Sequence, residues 1–245
     1  MRVQVLHSGW LRVQDALSTS PRLFLPLARA RDQRDFEGLP VVVRTETELV
    51  LEGFPRSGNT FAVAAFQFAQ ARPVQLAHHL HAAAQVIEGV RRGLPVMVLV
   101  REPSEAVLSV VVKEPALSIR WALRSYVRFH SAVWPHRSGF LVVPFQRLRG
   151  GFGASIRALN ERFGTSFGTF VDSPENLAAV ARSVERRGER EASATGRDLE
   201  PSVGRPSAER DRAKDRLRAA YRAPRLDALR ARAEGLHDSL VGLAP

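Results

Sequence analysis

Pro95-Val96-Met97-Val98-Leu99-Val100 contains no polar side chain, and it limits the possible folds more than any other part of the chain. A run this short and uniformly apolar reads as a strand buried on both faces. Such strands belong to parallel sheets covered by helices. The flanking segments agree. Leu49-Val50-Leu51-Glu52-Gly53 is a short apolar run followed by a turn, Phe61–Ala71 is helix-forming, and Pro73–Ala77 can form a second strand. Leu80–Arg92 reads as an amphipathic helix closed by Gly93. Beyond the buried run come helices over Glu105–Val112 and Ile119–Trp134, a strand over Phe140–Pro144, and a helix over Ser155–Phe163 ending at Gly164. This alternation predicts an α/β fold of three layers, α/β/α, with a mainly parallel central sheet and right-handed crossovers.

The core of the pattern spans 47–185. Residues 1–46 give only a short strand at Val3–Leu6 and a helix over Leu11–Ala30 interrupted by Pro21 and Pro26, with no assignable chemistry. From Arg186 to about residue 206 the chain is charged, rich in Gly, Ser and Pro, and poor in apolar residues, which predicts a flexible loop. Residues 207–245 read as two polar helices split by Pro224. Leu217, Leu226, Leu229, Leu236 and Leu240 can dock this helical extension on the main body. The aromatics Trp121, Tyr126, Phe129 and Trp134, at helical spacing, are expected in the core.

A formal charge of +11 asks for an acidic partner: a phosphorylated cofactor, an anionic substrate, nucleic acid or a membrane surface. Nearly all of that charge is arginine, with lysine only at positions 113 and 214. The skew fits a GC-rich coding bias and weakens the case for nucleic acid. Arginines interleaved with Glu209, Asp211 and Asp215 point the same way, to a solvated helix face. The absence of cysteine excludes disulfides, thiolate metal sites and thiol nucleophiles. The seven histidines fall in no ligand-spaced motif, so no metal is expected. No stretch reaches the roughly 20 apolar residues of a membrane helix, and the N-terminal residues lack a signal-peptide core. A soluble cytoplasmic protein is the expectation.

Gly53-Phe54-Pro55-Arg56-Ser57-Gly58-Asn59-Thr60 follows the first strand and opens a helix. Backbone N–H groups of such a loop converge on one hollow, and the helix dipole adds positive charge, so an anion fits. Ser57 and Thr60 add hydroxyls, and Arg56 adds a planar cation. Gly58 is followed by Asn59 rather than by Lys-Ser/Thr, so the loop is not the magnesium-dependent loop of kinases and ATPases. A second candidate is Arg101, which leaves the most buried strand at its carboxyl end, with Ser109 eight residues later in the next helix. Alone, Arg101 could simply pair with Glu102 or Glu105. Together with the first loop, the pair suits a second phosphate. Between the two lie His78, His79 and His81, which suit proton removal near neutral pH.

Pro55-Arg56-Ser57-Gly58-Asn59-Thr60 resembles the 5′-phosphosulfate loop of sulfotransferases that use 3′-phosphoadenosine 5′-phosphosulfate (PAPS), in a bacterial-like version. Arg101, Pro103 and Ser109 resemble that family's 3′-phosphate motif, in the same order. The resemblance covers about residues 48–168. Phe140–Leu148 is similar to the family's later strand and its Phe-Glu-Asp-Leu segment, with Gln146 replacing the usual acid. The resemblance implies a P-loop-type fold, PAPS as donor, 3′-phosphoadenosine 5′-phosphate (PAP) as product, and no metal. It implies in-line transfer to a hydroxyl or amine of a small-molecule, carbohydrate or lipid acceptor. Arg56 would stabilise charge on the leaving phosphate and His79, then His78, would be the base. Glu102, Glu105 and Glu114 stay open as carboxylate alternatives. Arg187 and Gly188, in Arg186-Arg187-Gly188, resemble the family's loop over the 3′-phosphate. The rival readings are a P-loop-type kinase and a non-catalytic arginine-rich binding protein.

Overall fold

The structure, a computed structural model, describes residues 13–35, 38–195 and 208–245. The strand expected at Val3–Leu6 lies outside them. Four parallel strands form the sheet: β1 (Leu49–Gly53), β2 (Leu76–His78), β3 (Val96–Val100) and β4 (Leu141–Pro144). Their spatial order is β2-β1-β3-β4. Successive side chains of a strand point to opposite faces, and the sheet divides its apolar residues accordingly. Leu49, Leu51, Met97, Leu99, Leu141 and Val143 pack on one face, against α2 (Asn59–Phe68), α6 (Phe152–Phe163) and α7 (Pro174–Thr195). Val50, Val96, Val98, Val100 and Val142 face the other way. There they meet α1 (Pro21–Ala30), α3 (Ala83–Arg91), α4 (Pro103–Lys113) and α5 (Ile119–Val133). The fold is thus the expected α/β/α sandwich. β1 and β3 are buried along their whole length, as strands between two helical layers must be, although β1 carries Glu52 among its apolar residues.

From β1 the chain crosses to β2 on one side, and from β2 it crosses back to β3 on the other. The carboxyl ends of β1 and β3 therefore splay their loops apart. This topological switch point is where open α/β sheets leave a crevice. The N-terminal segment covers the β2 edge: Val41, Val42 and Val43 are buried, and the His78 N–H donates to the Val41 carbonyl at 2.9 Å. A covered edge satisfies backbone groups that would otherwise be open to pairing with another chain.

α8 (Ala208–Tyr221) lies on α4, and α9 (Asp227–Val241) lies on α5. Tyr221, Leu226, Ala233 and Leu240 are buried there. Tyr126 and Phe129 are core residues, while Trp121 and Trp134 are partly buried against that core.

The charged stretch from Arg186 does not begin as a loop, because α7 continues through Thr195. Leu177, Val180 and Val184 form an apolar stripe along α7 that docks beside Phe66, Phe167 and Phe170. The charged residues occupy the remaining faces, where Arg, Glu and Ala are good helix formers. Residues 196–207 of the predicted loop lie outside the described ones. Among the described residues no helix is long and apolar enough to cross a membrane.

Candidate functional site

The loop after β1 is shaped by backbone conformations that side chains rarely adopt. Gly58 caps α2 with φ +92°, and a Cβ there would stand 2.3 Å from Leu148 Cδ1. Arg56 has φ +69°, a left-handed conformation costly for a side-chain-bearing residue. Helix geometry leaves the first-turn N–H groups of α2 without intrahelical acceptors. Ser57 is fully buried, and its Oγ has no hydrogen-bond partner among the described residues. A buried hydroxyl left unsatisfied beside a helix N-terminus fits an anionic oxygen better than an ordinary turn. Asn59 Nδ2 donates to the Phe54 carbonyl at 3.3 Å and closes the loop on itself.

The second candidate pair meets the first. Arg56 Nε donates to Ser109 Oγ at 2.9 Å, and Arg101 Nη1 donates to the Arg56 carbonyl at 2.9 Å. The Arg101 guanidinium stacks 4.1 Å above the Phe145 ring centroid, and Tyr126 Oη donates to the Arg101 carbonyl at 2.8 Å. Both arginines are thus fixed at the switch point, by each other and by partners on three other segments. Glu105 lies behind them, 3.5 Å from Arg101 Nη2, 2.6 Å from Lys214 Nζ and 3.0 Å from Arg218 Nη2. Burial works to raise its pKa, but Lys214, Arg218 and Arg101 together hold it below the usual carboxylate value. A carboxylate so surrounded is a poor base. Glu102 accepts a hydrogen bond from Gln146, the residue that replaces the family's usual acid.

The histidines follow β2. His79 and His81 are left-handed, with φ +58° and +52°. What holds them so is Glu52, a fully buried carboxylate at the end of β1. Its oxygens accept from the N–H of Leu80 at 2.8 Å, of His81 at 3.1 Å and of Gly53 at 3.2 Å, and from Gln85 Nε2 at 3.0 Å. Burial pushes the Glu52 pKa up to about 8 against those donors. Gln85 also accepts from the Val43 N–H at 2.9 Å and donates to the Val41 carbonyl at 3.2 Å, tying in the edge segment. No motif announced Glu52. The local signal was a lone acid within the apolar run Leu49–Gly53.

His79 sits in a relay. Thr60 Oγ1 lies 3.2 Å from His79 Nε2, His79 Nδ1 lies 2.6 Å from His78 Nδ1, and His78 Nε2 lies 3.6 Å from Asp35 Oδ2. Two tautomer sets serve a chain of neutral rings. In one, His78 turns a bare lone pair toward the Asp35 carboxylate. In the other, His78 directs an N–H there, His79 Nδ1–H donates to His78, and His79 Nε2 is left as an acceptor for Thr60. Electrostatics selects the second, which leaves His79 Nε2 unprotonated, with the Thr60 hydroxyl as its donor. Burial holds the His79 pKa well below 6.5, helped by the charges of Arg187, His78, His81 and Lys113. Burial likewise lowers His78, with Asp35 opposing. His81 donates Nδ1–H to the Gly53 carbonyl at 2.9 Å, and burial takes its pKa down to about 4.

Arg187 and Gly188 stand on α7, on a helix rather than on a covering loop. Arg187 lines a cavity with Thr60 and His78, and Gly188 is buried. The structure therefore brings together Arg56, Ser57, Gly58, Thr60, Arg101 and Ser109, and it brings His79 to Thr60. It sets Arg187 beside the histidines. Among the described residues no cluster of His, Asp and Glu has the geometry to hold a metal ion.

No protein-family model matches the chain. No curated protein sequence matches it either. Among solved structures, mouse sulfotransferase SULT7A1 complexed with PAP is similar over 80% of this chain and 91% of that one. Sequence identity is 12% and the TM-score is 0.41. At that distance function has to be read from the chain's own side chains.

Proposed function

We propose that the protein is a PAPS-dependent sulfotransferase acting on a hydroxyl or amine. The observation that supports this most directly is the junction of the two anion-binding motifs at the switch point. Two arginines and a buried serine, 53 residues apart at the Arg56–Ser109 contact, converge where one bisphosphorylated adenosine can span them. Pro55, Arg56, Ser57, Gly58, Asn59 and Thr60 would hold the 5′-phosphosulfate, and Arg101 with Ser109 the 3′-phosphate. When bound, PAPS supplies the sulfuryl group and PAP is left behind.

The chain's own contribution has three parts. Arg56 stays charged at any working pH, so it steadies negative charge on the departing phosphate and donates no proton. The loop N–H groups fix the donor's orientation before reaction. His79 Nε2, kept neutral by burial and oriented through His78 toward Asp35, receives the acceptor's proton. Magnesium has no lysine–hydroxyl pair to hold it in this loop, because Asn59 follows Gly58.

A thermal-shift comparison tests the reading. PAP should raise the melting temperature, while AMP and ATP with magnesium should leave it nearly unchanged. Equal stabilisation by ATP with magnesium would overturn the assignment in favour of phosphoryl transfer.

A further inference from the structure

His79 is engaged through both ring nitrogens. Nδ1 lies 2.6 Å from His78 Nδ1, and Nε2 lies 3.2 Å from Thr60 Oγ1. With the ring's hydrogen on Nδ1, Nε2 offers one lone pair, and the Thr60 hydroxyl fills it. While Thr60 holds that position, an acceptor finds no ring nitrogen to take its proton. Thr60 also faces a second claimant. It stands in the first turn of α2, two residues beyond the Gly58 cap, among the N–H groups that lack intrahelical acceptors. Its hydroxyl carries a single hydrogen, so it donates to His79 or to an anion in the hollow, never to both. A hydrogen bond to an ionised oxygen is roughly twice as strong as one between neutral groups, so an arriving phosphate or sulfonate oxygen wins the hydrogen. The ring cannot follow. His78 is fully buried behind it, and Glu52 fixes the backbone beyond it through the N–H groups of Leu80 and His81. Thr60 can turn, because threonine in a helix divides between two χ1 rotamers. Thr60 and His79 both keep part of their surface exposed, on the side where the exchange takes place.

We propose that Thr60 gates the base. Without a donor nucleotide its hydroxyl caps His79 Nε2; with one bound, the hydroxyl turns to the 5′ anion and uncovers the ring. The gate's part in transfer rests on the sulfotransferase reading, whereas the cap rests on Thr60 and His79 alone. The base thus opens only when a sulfuryl group is in place to be transferred, and donor binding precedes productive acceptor binding. The uncovered Nε2 is a polar atom without a partner, which costs free energy until the acceptor's O–H or N–H reaches it. Donor and acceptor therefore tighten each other's binding, equally in both directions. In the transfer step the acceptor's O–H or N–H bond breaks as an N–H bond forms at Nε2. That new N–H meets Thr60 Oγ1 as an acceptor, and the cap can re-form only after His79 gives the proton up.

Nitrogen NMR of the full chain carrying isotopically labelled histidine reads the cap directly, with His79 assigned by the loss of its signals in His79→Gln. The free protein should show hydrogen on Nδ1 and a hydrogen-bonded lone pair at Nε2. Saturation with PAP, and separately with PAPS, should move the Nε2 resonance to higher frequency, the direction of an unprotonated ring nitrogen that loses its donor. Thr60→Val should begin at the uncovered position and move no further when nucleotide is added. Thr60→Ser keeps the hydroxyl and should respond as the wild type does. Calorimetry on each sample establishes whether nucleotide binds. If PAP and PAPS bind and the wild-type Nε2 resonance stays in place, the gate is overturned and the transferase reading stands. If neither binds while Thr60→Val still shifts Nε2, the transferase reading falls and the gate falls with it. Hydrogen on Nε2 in the free protein, or matching spectra for wild type and Thr60→Val, overturns the proposal by itself.

Discussion

The loop after β1 and the loop after β2 end at the same edge of the sheet, yet they are held there by different means. The backbone of the first is closed largely by its own residues, with Arg101 and Ser109 reaching in only to Arg56. Gly58 supplies the left-handed cap, Asn59 bonds back to Phe54, and the helix that follows aims its amides into the hollow. The second is held by others. Glu52 on β1, Gln85 on α3 and Asp35 near the N-terminus shape the His78–His81 segment, and none of them belongs to it. Both loops contain side-chain-bearing residues with positive φ, Arg56 in one and His79 and His81 in the other. Backbone strain persists only where surroundings impose it. A loop imposed from within is a motif. A loop imposed from outside is a tertiary arrangement.

The comparison can be broken in three places. The largest effect is expected at His79. His79→Ala should lower the transfer rate by about 10² to 10⁴, the usual worth of a positioned base, while PAP still stabilises the protein. The acid limb of the wild-type rate profile should lie below pH 6.5, because a base with a depressed pKa stays deprotonated further into acid. A limb above that value would remove His79 from the role. Next comes Arg56→Ala, with a loss of about 10² to 10³, the scale of one charge-stabilising donor. Undiminished transfer in that variant would dissolve the proposed mechanism.

The smallest effect concerns stability. Glu52 has a pKa of about 8 folded against 4.5 as its ordinary value, so between those limits the folded chain keeps a proton that the unfolded chain has released. The Glu52 contribution to stability should therefore fall as pH rises from 4.5 to 8, by at most about 1.4 kcal/mol per unit, and level off above, while the buried histidines, with lowered pKa values, contribute in the opposite direction below 6.5. Glu52→Gln cannot titrate, so chemical denaturation of that variant should show the Glu52 contribution removed. An unchanged slope would mean that Glu52 is ionised throughout, held by its four N–H donors.

The sheet was legible because its strands are short apolar runs between breakers. Leu49–Gly53 is matched residue for residue, and the runs at Pro95 and Phe140 each lose only their first residue. The second strand was expected at Pro73–Ala77 but spans Leu76–His78, since regular pairing with β1 begins at Leu76. α7 was misread because its apolar residues Leu177, Val180 and Val184 are few among many charges, and only docking reveals them as a stripe. The site shows the same division. Arg56 to Thr60, Arg101 and Ser109 were readable as local strings. Gln85 and Asp35 act across the fold and leave no mark in their immediate neighbours.

The Glu105 contacts have a consequence for the far end of the chain. Lys214 and Arg218 on α8 grip the same carboxylate that Arg101 approaches, so they draw its charge away from Arg101. A shortened chain ending before α8 would lose both, and Glu105 would be left to Arg101 alone, a pairing that competes with any incoming phosphate. The terminal helices thus act as a counterweight, sharing a carboxylate with the guanidinium some hundred residues upstream that is proposed to meet the 3′-phosphate.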